Sequence, residues 1–457
     1  MHQIDIKLVE MTMDIIKYAI DRITDTDRGI GKPKKAEELK ALVGETITQK
    51  GIGGEYAFNL WKDHLMKANV SIDHPRHLAF VPASPTRAAI MFDLVTSASS
   101  IHGAYWMEGA GGIFCENEAM KWIVSLTGLP EGAFGVFTSG GTAANLSAIV
   151  TAREYWRSLD NNNINRKGLI ITSIGAHSSI KAMAKVIDAD VLFVETEDRM
   201  EAHSLLKAIN NLSQDQRKSL FAVVATGGTT NAGIIDDLAG IADICKKENL
   251  WFHVDAAYGG GALLADSVRH LFHGIEEADS ITIDPHKWMF SPYDCGAVIY
   301  KNPELAKKAH SQEGSYLDIF KDEGAHGFNP SEYQIQLTRR VRGLPLWFSL
   351  AMHGTDRYKD AVERGLELAQ IAGKMIKELP HVELVREPGL SCVLYRRIGW
   401  KPEDYTHWTY ENHDKGLALV TPTKWKRGNS FETVSRFCFI NPDTTENDIK
   451  MILDSMA

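Results

Sequence analysis

From about residue 115 to 330 the chain alternates short apolar runs with helical stretches, and this alternation limits the fold more than any other feature. The runs are LIITS at 169–173, VLFV at 191–194, LFAVVA at 220–225, WFHVDAA at 251–257, SITID at 280–284 and GAVIY at 296–300. They predict an α/β fold, a mostly parallel sheet covered by helices. In such a sheet ligands bind where strands end and loops lead into helices, so the residues after each run are the candidates for chemistry.

The flanks read differently. Residues 1 to about 90 are helices and loops broken by GIGGEYA at 51–57 and DHPRH at 73–77, which predicts a helical arm. Its apolar face is buried either on its own domain or, in an isologous dimer, on a second copy. After about 340, a helical segment from Tyr358 to Leu379 leads into VELV, SCVLYRR and SRFCFINP and then a terminal helix that Thr444 or Thr445 caps, which predicts a small α+β domain. A chain of 457 residues accommodates three such units, divided as 1–90, 91–340 and 341–457.

Composition excludes several classes of partner. A net charge of -9 offers no basic footprint for a phosphate backbone, so nucleic acid is not expected. No window approaches the roughly 20 consecutive apolar residues that cross a bilayer, and no signal-peptide core follows the amphipathic N-terminus. Five scattered cysteines with no C-x-x-C spacing read as reduced thiols in a cytoplasmic protein.

Four strand ends carry reactive residues. SITID ends in Asp284 and is followed by Pro285, His286 and Lys287, which puts a lysine at the mouth of the sheet. A lysine there forms an imine with a carbonyl, although alone it reads as a surface lysine. Asp255 ends WFHVD, and a buried acid needs a cationic partner such as a protonated pyridine nitrogen, with Ala257 leaving room for a flat ring. Alone, Asp255 reads equally as a satisfied core or capping acid.

Ser139, Gly140, Gly141 and Thr142 precede a good helix-forming run, and a helix start of this kind binds phosphate or makes an ordinary capped turn. TGGTTNAG at 226–233 adds Thr230 to the same anion site. His177, in GAHSSIKAM, stacks on a cofactor ring or belongs to a helix-capping loop, with Ser178 or Ser179 as cap. One small cofactor with an aldehyde, a ring nitrogen and a phosphate satisfies all four loops.

With DPHKW, HVDAAYGG, GAHSSI and SGGTAAN, the chain resembles the group II pyridoxal-phosphate decarboxylases from about residue 75 to 350. The resemblance implies a fold-type I large domain, a small C-terminal domain and a helical arm swapped across a homodimer with the active site at the interface. It implies that Lys287 carries pyridoxal 5'-phosphate as a Schiff base, that Asp255 partners the pyridine nitrogen, and that Ala257 and His177 pack against the ring. Gly141, Thr142, Thr230 and His286 match positions that hold the phosphate or its surroundings. Tyr316, in GSYLDIF, resembles the tyrosine that returns a proton to the substrate carbon after carbon dioxide leaves. A tyrosine there points to simple decarboxylation, where related aldehyde synthases typically carry phenylalanine.

By similarity to aromatic decarboxylases, the substrate pocket comprises Phe80, Trp106 and, from the partner chain, His102, Ala104 and Thr338. An aromatic amino-acid substrate of the tryptophan or tyrosine type is the reading preferred. A glutamate, aspartate or diaminobutyrate decarboxylase is the alternative, for which Arg76, Arg87, Arg339 and Arg340 are the candidate side-chain clamps. Other fold-type I enzymes compete too, but a cysteine desulfurase would need a cysteine near Tyr316, and none is there. A non-enzymatic binding protein would leave Lys287 unmodified, and a nucleotide module would need the phosphate-loop lysine that this sequence lacks.

Overall fold

The structure is a computed structural model that describes residues 4–312, 328–428 and 430–457. Its centre is a seven-stranded sheet of β1 (Phe134–Thr138), β2 (Gly168–Ser173), β3 (Ala189–Val194), β4 (Leu220–Thr226), β5 (Trp251–Asp255), β6 (Ser280–Ile283) and β7 (Gly296–Tyr300). The strand order is β1-β7-β6-β5-β4-β2-β3, and β7 runs antiparallel to both of its neighbours while β2 to β6 run parallel. The predicted runs are therefore strands. β1, which no predicted run covered, joins them at the edge.

Burial explains why these segments read as continuous apolar runs. Every residue of β2 and β4 is buried, because helices cover both faces of a parallel sheet. Alternate residues feed two cores: Val223 and Ala225 pack on one face with Val254 and Ile281, whereas Ala222 and Val224 pack on the other with Ile170 and Val298. The helix Gly141–Leu159 supplies Ala144, Ala148 and Ala152 to the second core.

A second, antiparallel sheet contains β8 (Val382–Leu384), β9 (Cys392–Arg397), β10 (Thr421–Arg427) and β11 (Ser430–Cys438) in the order β10-β11-β9-β8. The helices Thr355–Glu378 and Glu446–Asp454 pack against it around Tyr395, Phe437 and Phe439. Thr445 caps the terminal helix, while Thr444 donates its hydroxyl to Pro75 O at 2.6 Å. Part of the N-terminal region also belongs here: Leu78 N donates to Leu419 O and Cys438 N donates to Leu78 O. The first helix, Ile6–Thr24, by contrast buries none of its residues on its own chain.

Two sequence candidates for a carboxylate clamp are used elsewhere. Arg339 and Glu116 form a bidentate pair at 2.8 Å for both contacts, with Arg339 fully buried and bonded as well to Gly103 O and Phe137 O. Arg340 pairs with Asp93 at 2.7 Å. Removing one partner of the buried pair would strand a charge, and the pair ties the helix Trp106–Thr127 to the segment that leads into the helix Leu344–His353.

Burial pushes His253 down to about 3 and His74 and His77 down to about 4, and raises Asp236 to about 6. A depressed imidazole takes up its proton in the unfolded chain first. Each histidine thus stabilises the fold fully above about pH 6.5 and loses that contribution as the pH falls toward its folded value. Asp236 acts in the opposite sense, as do Asp93 and Asp279, which burial also raises, but His286 and His310 are lowered too, so three acids stand against five histidines. The Tm of the cofactor-free protein is expected to fall between about pH 7 and pH 5; a Tm that holds or rises over this range would contradict the assignment.

Candidate active site

The parallel strands end on one side of the sheet, and their following loops enclose a cavity of about 370 Å³, within the range of small-ligand sites. Asp255 ends β5, and Asp284, His286 and Lys287 follow β6. His177 lies beyond β2, Thr226 ends β4, and Thr230 lies in the next loop. Gly140, Gly141, Thr142 and Ala257 complete the same wall, so the residues expected to hold the cofactor stand around one space.

The floor is negative. Lys287 Nζ lies 3.0 Å from Asp284 Oδ2. Burial works to lower the Lys287 ammonium, but Asp284 and Asp255 outweigh it and leave the group raised. The other Asp284 oxygen is buried and has no partner among the described residues, and the same holds for the hydroxyl of Thr226. Asp255 Oδ2 accepts from Asn145 Nδ2 at 3.0 Å, and its Oδ1 accepts from the Ala257 amide at 3.1 Å. His286 Nδ1 accepts from Cys295 N at 3.0 Å, and burial lowers its pKa.

The opposite wall is a helix start. Gly140 has a φ of 135° and provides no side-chain cap to Gly141–Leu159, so the positive end of this 19-residue helix is open to an anion. A Cβ on Gly141 would stand 2.9 Å from Asp284 Oδ2 and 3.2 Å from the Ala257 methyl, which is why glycine is required where the helix meets the floor. His177 is itself the N-cap of Ser178–Val186: its Nδ1 accepts from Ser179 N at 3.2 Å, leaving the Nε2 position for the proton. The cap is thus the histidine, where the sequence suggested one of the serines that follow it.

A second cavity, of about 510 Å³, shares Thr230 with the first and is lined by Phe80, Asn231, Tyr410, Leu419, Pro422 and Arg436 among others. Arg436 is buried, donates to Phe80 O at 2.5 Å and Asn231 O at 3.2 Å, and has no carboxylate among its described ion pairs. Phe80 adopts a φ of 56°, a conformation that costs a bulky residue energy. The sequence reading missed Arg436. The detectable signal is an arginine within VSRFCF, where buried residues flank it on both sides.

The remaining substrate candidates do not line either cavity within one chain. His102 bonds Glu108 at 2.6 Å, Ala104 is fully buried with its carbonyl accepting from Ser331, Trp106 N donates to Asn329 Oδ1 at 2.9 Å, and Thr338 is exposed. Gln336, two residues before Thr338, donates to Ser139 Oγ at 3.5 Å, so this segment borders the first cavity. Tyr316 lies outside the described residues.

An amine, an acid at the floor, an open helix start and partnerless buried oxygens fit a small ring that bears an aldehyde, a basic nitrogen and a phosphate. The fold and this cavity define a fold-type I enzyme of the pyridoxal-phosphate class. When bound, pyridoxal 5'-phosphate supplies an aldehyde that combines with amines and a ring that takes up electrons.

The pyridoxal-dependent decarboxylase conserved domain matches residues 37–398. An aromatic-L-amino-acid decarboxylase from Bacillus atrophaeus is 28% identical over 99% of this chain and 94% of its own. An L-2,4-diaminobutyrate decarboxylase from Acinetobacter baumannii is 30% identical over 81% of this chain and 76% of its own. The crystal structure of Oryza sativa TDC with PLP and tryptamine superposes with a TM-score of 0.90 at 20% identity, covering 100% of this chain and 99% of that one. The chain belongs to the pyridoxal-dependent decarboxylase family. It is a pyridoxal-phosphate-dependent amino-acid decarboxylase, a carboxy-lyase.

Lys287→Ala is expected to abolish both the visible absorbance of the bound cofactor and carbon dioxide release. Normal turnover by this variant would remove Lys287 from the site.

Proposed function

We propose that the enzyme decarboxylates an aromatic L-amino acid of the tryptophan or tyrosine type to its amine, as a cytoplasmic homodimer with the active site at the interface. The observation that carries the substrate class is the second cavity. Among its described lining residues Arg436 is the sole charged side chain, and Phe80, Tyr410, Leu419 and Pro422 stand among uncharged threonines and Asn231. One guanidinium meets the α-carboxylate that every amino acid carries. The remaining walls offer no charge to a second carboxylate or a side-chain amine, while Phe80 and Tyr410 offer rings to an aromatic side chain that also carries a polar group. The diaminobutyrate relative supports the second reading, a glutamate, aspartate or diaminobutyrate decarboxylase.

In this reading Lys287 holds the cofactor, Asp255 faces its ring nitrogen, and Ala257 and His177 pack on the ring. Gly140, Gly141, Thr142, Thr230 and His286 surround the phosphate, and Tyr316 or His177 returns a proton to the substrate carbon. The dimer rests on the first helix, which exposes Ile6, Val9, Met13, Ile16 and Ile20 and would bury them on a second copy. The second copy would bring its His102, Ala104 and Thr338 to the site.

A panel of twenty amino acids, with amine and carbon dioxide detected, tests the substrate. Release from tryptophan or tyrosine alone is expected, Arg436→Met should raise KM at least about tenfold, and Tyr316→Phe should lower amine output while cofactor absorbance stays. Activity confined to glutamate, aspartate or diaminobutyrate would overturn the aromatic reading. Sedimentation equilibrium is expected to give twice the 50.8 kDa chain mass, and a charge placed on the exposed apolar face of the first helix, as in Met13→Asp, should weaken that association; a monomer with full activity would remove the interface site.

A further inference from the structure

Behind the floor of the cavity lies a chain of neutral polar groups, each buried, that leads from the far end of β5 to Asp255. Trp251 Nε1 lies 2.8 Å from Ser280 Oγ, which lies 2.8 Å from His253 Nδ1. His253 Nε2 lies 2.9 Å from Asn145 Oδ1, and Asn145 Nδ2 lies 3.0 Å from Asp255 Oδ2 and 3.3 Å from Ser179 Oγ. Ser179 Oγ is in turn 2.9 Å from His177 Nδ1.

Donor chemistry fixes the direction of every bond. A carboxylate only accepts, so Asn145 turns Nδ2 to Asp255, gives its second hydrogen to Ser179 and presents Oδ1 to His253. His253 Nε2 therefore carries the proton, and its bare Nδ1 takes the hydroxyl hydrogen of Ser280, which accepts from the Trp251 indole. Ser179 then gives its hydroxyl hydrogen to His177 Nδ1, which the Ser179 amide also approaches, and His177 keeps its proton on Nε2. Burial pushes His253 down to about 3, so the imidazole remains neutral and the direction does not reverse near neutral pH.

We propose that Asn145 is a positioning residue whose single amide group orients both Asp255 and His177 toward the cofactor, with Trp251, Ser280 and His253 holding that amide from behind. The proposal rests on the assignment of Asp255 and His177 to the cofactor site. It makes one side chain on the helix after β1 responsible for two groups, one at the end of β5 and one beyond β2. Turning the amide over would set Oδ1 against the Asp255 carboxylate and leave His253 Nε2–H facing another donor, so the alternative orientation is doubly penalised.

The cofactor-free protein, labelled with 15N at histidine, provides a first test: His253 and His177 should both give ring-nitrogen shifts of the Nε2–H tautomer, and an Nδ1–H form at either residue would overturn the proposal. Asn145→Ala should weaken pyridoxal-phosphate affinity about tenfold, move the pH midpoint of the bound cofactor's visible absorbance and lower kcat more than it raises KM. Ser280→Ala, which leaves Asn145 in place but removes the hydroxyl that holds His253 behind it, should shift the midpoint in the same direction by less, and it carries the test if Asn145→Ala does not fold. Adding Asn145→Ala to Asp255→Ala should move the midpoint no further, because the first acts through the second. If Asn145→Ala and Ser280→Ala keep wild-type affinity and midpoint while Asp255→Ala loses both, the positioning role is wrong and the cofactor assignment stands. If Asp255→Ala itself binds the cofactor as the unmodified enzyme does, the assignment beneath it is wrong.

Discussion

Two carboxylates buried on neighbouring strands must be met within one small space, and much of the molecule is arranged to meet them. Asp255 ends β5 and Asp284 follows β6, and the strands pair with Asp255 opposite Thr282. Isolated buried carboxylates cost several kcal/mol each, so partners are obligatory. Asp284 takes Lys287 at 3.0 Å, while Asp255 takes the Asn145 amide and the Ala257 backbone. The same contacts hold the amine, the acid and the Ala257 methyl in one register.

The helix Gly141–Leu159 answers this negative floor with its positive end and also delivers Asn145 one turn further on. It can approach so closely because residue 141 has no side chain. A similar economy of space governs the loops above: a Cβ on Gly259 would collide with Gly227 O, so the glycines after Asp255 let the loop from β4 lie directly against the turn that leaves β5. That approach seats Thr226 and Thr230 at the cavity wall.

The second sheet closes the arrangement by a different route. Arg436 on β11 reaches Phe80 O and Asn231 O, so one guanidinium ties together the N-terminal segment, the loop from β4 and the second sheet. The two cavities meet at Thr230 because of this junction. This second cavity therefore exists because three separate stretches of chain are held together.

The alternation of apolar runs determined the parallel sheet, since strands buried on both faces must be apolar along their length, and each reactive residue next to a run was bound to stand at a strand end. Lys287, Asp255 and His177 were legible for that reason, and Gly141 because it opens a strong helix-forming run. Arg436 and Asn145 were not, because their roles depend on which atoms of distant segments they face, and neither a strand arginine nor a helix asparagine announces that in its neighbours. Arg339 shows the converse: its sequence context left it open as a clamp, and only the position of Glu116 commits it to a structural pair. Local pattern decides which segments become strands and helices, because hydrogen bonding and burial act at fixed short spacings. Which polar atom meets which across the fold is decided by tertiary packing, because those partners lie far apart in sequence and come together only once the two sheets and their helices have closed.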